Sequence, residues 1–213
     1  MKRPTLWSFL AIVFFAPSLL AKSDVEVWSA AEVVYPMFKK VDLGFEQDLR
    51  LDDGARDFDE TLSNFSLAFG LSRQLRLELG YRFELGGKLN DLKRAHRVHI
   101  QTRLKQKFGL LWVTYRLRLQ HHVSDVETVL RQQVRLGWNT KTVFRPQIGV
   151  ELFSDEVKKN HLPWKKMRWT IALICRLNKR QRLKIFSHLH QALNDNDPLE
   201  YVMGLNYQYR FKR

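Results

Sequence analysis

From Leu75 to Leu85 the chain reads LRLELGYRFEL, with Leu75, Leu77, Leu79, Tyr81, Phe83 and Leu85 alternating against Arg76, Glu78, Gly80, Arg82 and Glu84. A period of two is the signature of an extended strand, because successive side chains leave its opposite faces. Such a strand places every large apolar group on one face and charges of both signs on the other. In a soluble sheet the apolar face would meet a core and the charged face water. In a membrane barrel the assignment inverts: the apolar face meets lipid and the charges line the interior.

The pattern recurs along most of the chain. Segments 41–51, 65–71, 75–85, 98–104, 111–119, 130–138, 144–152, 167–177, 183–189 and 201–211 all alternate, and most are long enough at a barrel tilt to cross a bilayer. A weaker candidate, 25–35, ends at Pro36, a residue that cannot donate to a ladder. Counting it gives eleven strands, whereas single-chain bacterial barrels have even numbers, so ten or twelve are expected. Tight connections such as SRQ, KFG, NTKT and NKRQ alternate with longer ones such as DDGARDFDE, GGKLNDLKRA, HHVSDVE, SDEVKKNHLP and NDNDP. Short turns on one side and long loops on the other are what outer-membrane barrels show, with the short side periplasmic. The predicted fold is therefore all-β: an up-and-down antiparallel transmembrane β-barrel of 10–12 strands.

The N-terminus supports export. Lys2 and Arg3 precede an apolar stretch from Leu6 to Phe15, then Pro17 and a small Ala21. This reads as a secretory signal, residues 1–21, cleaved from a barrel domain of residues 22–213. The apolar run is short of the ~20 residues of a spanning helix, and no later segment offers one. The predicted location is the outer membrane of a Gram-negative bacterium. The formal charge of +14 attracts polyanions of any kind, but nucleic acid is not an expected partner of an exported chain. A single cysteine, Cys175, excludes an internal disulfide.

Trp138, Trp169, Tyr81, Tyr115, Tyr207 and Tyr209 fall on the apolar parity, as an interfacial aromatic girdle requires. The opposite parity carries Arg76 and Arg82, Arg103, Arg116 and Arg118, Arg131 and Arg135, Arg145, Arg168 and Arg176, relieved by acids including Glu46, Asp48, Glu78, Glu84 and Glu151. These ten arginines are the candidate anion-binding residues of a lumen, since arginine stays ionised and binds carboxylate or phosphate through two-point contacts. Two readings stay open. In a filled interior Arg and Glu cross a narrow lumen and pair; in an anion-favouring channel or solute-binding barrel the basic excess selects anions. Expected partners are outer-membrane lipid, anionic solutes, and the barrel-assembly machinery through the C-terminal strand from Gly204 to Phe211, although Lys212 and Arg213 follow the terminal aromatic. Basic turn residues, Lys39, Lys40, Arg73, Lys107, Lys141, Lys179 and Arg180 among them, suit either a solvated rim or anionic headgroups.

Few residues suggest chemistry. His122 and Ser124 share a face, the spacing with which outer-membrane acyl hydrolases pair a base and a nucleophile, but no third orienting residue accompanies them. His188 and His190 also share a face, with interior hydrogen bonding favoured over a metal. Glycine-rich phosphate loops, zinc spacings and GxSxG are absent from the sequence, and no cofactor is expected.

Trp28 in the first strand, EQDLR at 46–50 and LGYRFE at 79–84 resemble a family of bacterial outer-membrane barrels known as a domain of unknown function. The resemblance implies fold and location, and no activity.

Overall fold

A computed structural model describes residues 25–87, 91–124, 127–140, 142–156, 164–193 and 198–213. The expected leader, residues 1–21, lies outside the described residues, as do Lys141 and most of the loops at 157–163 and 194–197. The chain forms eleven strands: β1 (Val25–Phe38), β2 (Val41–Asp52), β3 (Asp57–Gly70), β4 (Leu75–Gly86), β5 (Lys93–Phe108), β6 (Leu111–His122), β7 (Glu127–Trp138), β8 (Phe144–Glu156), β9 (Trp164–Arg176), β10 (Gln181–Ala192) and β11 (Glu200–Arg210). Each pairs antiparallel with its sequence neighbours, and β1 closes the sheet against β11. A strand of about 12 residues rising ~3.4 Å per residue at a tilt near 40° spans roughly 30 Å along the barrel axis.

The strand number corrects the even count expected from the sequence. With eleven strands the first and last run in the same direction, so the seam is parallel, from Val25 beside Tyr201 to Val34 beside Arg210. Ten paired positions leave neither edge exposed, which is the condition a closed sheet must meet. Both seam strands run towards the end bearing the tight turns, where the Phe211 N–H donates to the Val34 carbonyl at 2.9 Å.

Strands also reach further into the loops than the alternation indicates. β3 begins at Asp57 and β5 at Lys93, so DDGARDFDE and GGKLNDLKRA contribute several residues to the wall. Register shifts at Arg50/Leu51, Val129/Arg131 and Phe153/Ser154 mark bulges near the longer-loop end, where an extra residue breaks the simple parity. The connections at that end are four to seven residues long, against two to five at the other, so the asymmetry has the expected direction but a smaller size.

The barrel is inside-out relative to a soluble domain. Leu79, Ile100 and Leu119, neighbours on three successive strands, are exposed on the outer face. Val134 and Trp169 continue this apolar surface on either side of Val150. At the tight-turn end Tyr35, Phe38, Phe108 and Phe211 are exposed. Facing inward instead are buried polar groups: Gln101, Gln120, Gln133, Gln147 and Glu151.

Inward glycines make room for large rings. A Cβ at Gly80 would fall inside the His99 imidazole, one at Gly137 inside the Trp112 ring, and one at Gly204 against Phe186. His99 is 1% exposed at its side chain and sits 3.5 Å from Glu78, so it cannot swing away freely. Gly80→Val is expected to lower stability by about 1–3 kcal/mol, the usual cost of overpacking. Chemical unfolding of the folded barrel measures it, and a wild-type midpoint would show that His99 has room to move.

Candidate functional site: the barrel interior

Inward parity on β4 to β9 brings eight of the ten predicted arginines, Arg76, Arg82, Arg103, Arg116, Arg118, Arg131, Arg135 and Arg168, to the wall of one cavity of about 690 Å³. Arg145 and Arg176 do not line it. Both keep inward parity but stand at the tight-turn mouth, where β8 begins and β9 ends: Arg145 donates to Asn139 Oδ1 at 3.0 Å, and Arg176 is exposed. The cavity runs from Asp42 and Arg210 near the tight turns to Arg50, Trp28 and Phe153 near the longer loops. Its wall carries thirteen Arg and Lys against six Asp and Glu, so its electrostatic bias is positive.

Much of this charge is paired along the wall, between strands that are adjacent or two apart. Glu151 on β8, 1% exposed at its side chain, is the centre of the largest cluster. Arg116 of β6 reaches its Oε1 at 2.5 Å and Arg131 of β7 donates to the same oxygen from Nε at 2.9 Å. Gln133 Nε2 donates to Oε2 at 3.1 Å, and Arg168 Nη1 of β9 stands 3.8 Å from it. Three guanidinium groups so close together repel one another, and the carboxylate between them is what makes the arrangement tenable.

Smaller pairings brace the two ends. Asp42 accepts from Arg76 at 2.7 Å and Arg210 at 2.6 Å, joining β2 to β4 and β11 near the tight turns. Arg97 meets Glu84 at 2.5 Å, and Arg50 pairs with Glu60. Arg118 donates to Gln101 Oε1 at 2.8 Å and lies 4.0 Å from Glu78. Towards the longer loops, cations stack on rings: Arg50 stands 3.9 Å and Arg168 5.2 Å from the Trp28 centroid, and Arg131 4.4 Å from that of Phe153. Such contacts are worth about 0.5–2 kcal/mol each.

Other charges on the same wall lack an opposite partner. Among the described residues, Arg82, Arg103, Arg135 and Lys184 make no ion pair within 4.0 Å, and the Nε atoms of Arg82, Arg103 and Arg135 are buried without a hydrogen bond. Glu32, Glu46 and Asp48 on β1 and β2 likewise have no cation within that distance among the described residues; Glu32 accepts from Gln208 at 2.8 Å and Glu46 from Asn206 at 3.2 Å.

Sequence reasoning missed Trp28, Glu32, Arg97 and Arg182 as cavity residues. The signal for β1 was the parity of Trp28, Ala30, Glu32 and Val34, which an apolar opposite face obscured. His122 lies at the inward end of β6 with Nε2 3.1 Å from Gln120 Nε2, while Ser124 is exposed in the following turn. His188 contacts Thr170 Oγ1 at 2.9 Å. His190 accepts from Arg168 Nε at 2.6 Å through Nε2 and faces Glu200 Oε2 at 3.0 Å through Nδ1, so its proton sits on Nδ1. Cys175 is free and buried on the outer wall between Phe144 and Leu183.

No characterised protein matches the chain in sequence. A family model described as a protein of unknown function (DUF2490) matches residues 25–201, the wall from the first residue of β1 to the start of β11, and the chain belongs to that family.

Proposed function

We propose that this chain is an outer-membrane barrel, processed at its leader, whose basic interior admits and holds small anions. The observation that carries this reading is the inverted polarity: an exposed apolar outer face around a cavity whose wall has thirteen cationic side chains and six anionic ones. Hydrocarbon is the solvent such an outer face matches. Polar groups on that face support the reading because they satisfy each other across strands. Gln47 donates to Thr61 and accepts from Ser63, both at 2.6 Å; Tyr115 donates to Gln132 at 3.1 Å; Tyr81 and His96 meet at 2.7 Å. Lipid offers no hydrogen bonds, so polar groups facing it need protein partners.

Inside, arginines without carboxylate partners keep a positive potential over a lumen of limited width, and rings of Arg and Lys favour anions. Purified protein in a planar bilayer under a potassium chloride gradient is expected to give a reversal potential displaced towards that of chloride. Arg103→Gln with Arg135→Gln moves it towards zero. A potassium-selective pore would refute the anion reading.

A second reading, a non-conducting barrel that stiffens the envelope, draws on the convergence of Arg116, Arg131, Arg168 and Gln133 on Glu151, which places side chains from four strands in the lumen. Absence of any conductance from correctly folded protein favours it.

A further inference from the structure

Anion selectivity alone leaves one feature of the cavity without a reason. The inward positions on β1 and β2 include Glu32, Glu46 and Asp48, and Glu32 is the direct cross-strand neighbour of Glu46. Side chains so paired on one face have Cβ atoms about 5 Å apart, and like charges there destabilise a sheet. The carboxylates at Asp42, Glu84 and Glu151 each have an arginine within 2.5–2.9 Å, whereas amides are the hydrogen-bond partners of Glu32 and Glu46. The cations left over stand elsewhere on the wall: Arg82 on β4, Arg103 on β5, Arg135 on β7 and Lys184 on β10. In the closed strand order β7 is five strands from both β1 and β2, and β5 is four and three strands away, so Arg135 and Arg103 form a basic strip on the far side of the lumen from the acidic one, while Arg82 and Lys184 stand closer to the acids. Arg103 is within electrostatic range of Glu32, and Lys184 of Glu46.

A solute with a single negative charge satisfies the basic strip and is repelled by the acidic one. A solute with both charges satisfies the two strips together, and about 690 Å³ is room for a small molecule. We propose that the interior is a binding site for small dipolar solutes of the amino-acid type, with the ammonium at Glu32, Glu46 and Asp48 and the carboxylate at Arg103 and Arg135. This rests on the reading of the interior as a solute site and narrows it from anions in general to ammonium carboxylates. It gives each unpaired strip a partner, as the Glu151 cluster does for its own arginines.

Three probes of equal chain length separate the alternatives: 5-aminopentanoate carries both charges, pentanoate the carboxylate only, and pentylammonium the ammonium only. Titration calorimetry of the full processed barrel in detergent micelles measures binding whether or not the lumen conducts. The expected result is 5-aminopentanoate binding about tenfold more tightly than either singly charged probe, as one further charge-assisted hydrogen bond provides. Glu32→Gln with Glu46→Gln is expected to remove that advantage and tighten pentanoate; Asp48→Asn is the alternative variant if the pair fails to fold, as judged by heat-dependent gel mobility. Equal affinity for 5-aminopentanoate and pentanoate overturns the inference and leaves the anion reading in place, since the acidic strip would then hold protons and no ammonium. No binding of any probe also overturns it, while chloride preference in the bilayer independently decides the anion reading.

Discussion

Glu151→Gln lowers the stability of the barrel by about 3–5 kcal/mol, the cost of removing one partner from a buried ion pair. The amide keeps the shape of the side chain and can still accept a hydrogen bond, so the loss is one of charge. Arg116 and Arg131 then lie around a neutral group with Arg168 close by, each having contacted the carboxylate at 2.5–3.8 Å. Arg116 and Arg131 are 12–13% exposed at their side chains, so lumen water screens them only in part. Denaturant unfolding in lipid vesicles, followed by tryptophan fluorescence and gel mobility, measures the change. The double variant Glu151→Gln, Arg131→Gln is expected to be more stable than the single one, because removing a cation relieves the repulsion that the first substitution exposes. Additive losses from the two changes would mean that Glu151 is not what holds these cations together.

The architecture was legible in the sequence where one face of a strand was apolar and the other charged, as in 75–85, because period two fixes the direction of each side chain once one is known. It was least legible where that contrast fails. β1 has alanine and valine on both faces, with Ala30 and Val34 inward against Ala31 and Val33 outward. The first half of β3 reverses the rule: Leu62 is fully buried between Asp48 and Glu84 of its neighbours, while Thr61 and Ser63 face outward to Gln47. The lone polar interruption in the apolar side of β2, Gln47, is thereby explained by partners that lie outside the alternating segments 41–51 and 65–71. All eleven strands were visible in the sequence, and the count went astray only through the even-number rule, which presumes an antiparallel closure where this barrel has a parallel seam.

The same distinction applies to the site. Parity placed eight arginines on the cavity, but it could not tell which carboxylate meets which guanidinium. Arg116 and Glu151 are 35 residues apart and Arg210 and Asp42 are 168 apart. Such pairings depend on strand stagger around a closed sheet, and that is a property of the whole barrel rather than of any segment.

Ile100→Arg tests the outer face, and its expected cost is about 2–4 kcal/mol, that of an arginine at the bilayer midplane on the lipid side of a barrel. Ile100 is midway along β5 and 44% exposed, with Leu79 and Leu119 as its neighbours across both ladders. In water, a substitution at so exposed a site would change stability by no more than about 0.5 kcal/mol. Leu110 provides the comparison: it is 64% exposed in the two-residue turn between β5 and β6, at the tight-turn rim. Leu110→Arg should cost no more than about 1 kcal/mol, because the penalty falls away towards the interface. Unfolding of both variants in vesicles gives the depth dependence directly. If the two losses are equally small, water covers the Leu79–Ile100–Leu119 face, and the charged cavity belongs to a protein that is dissolved and not embedded.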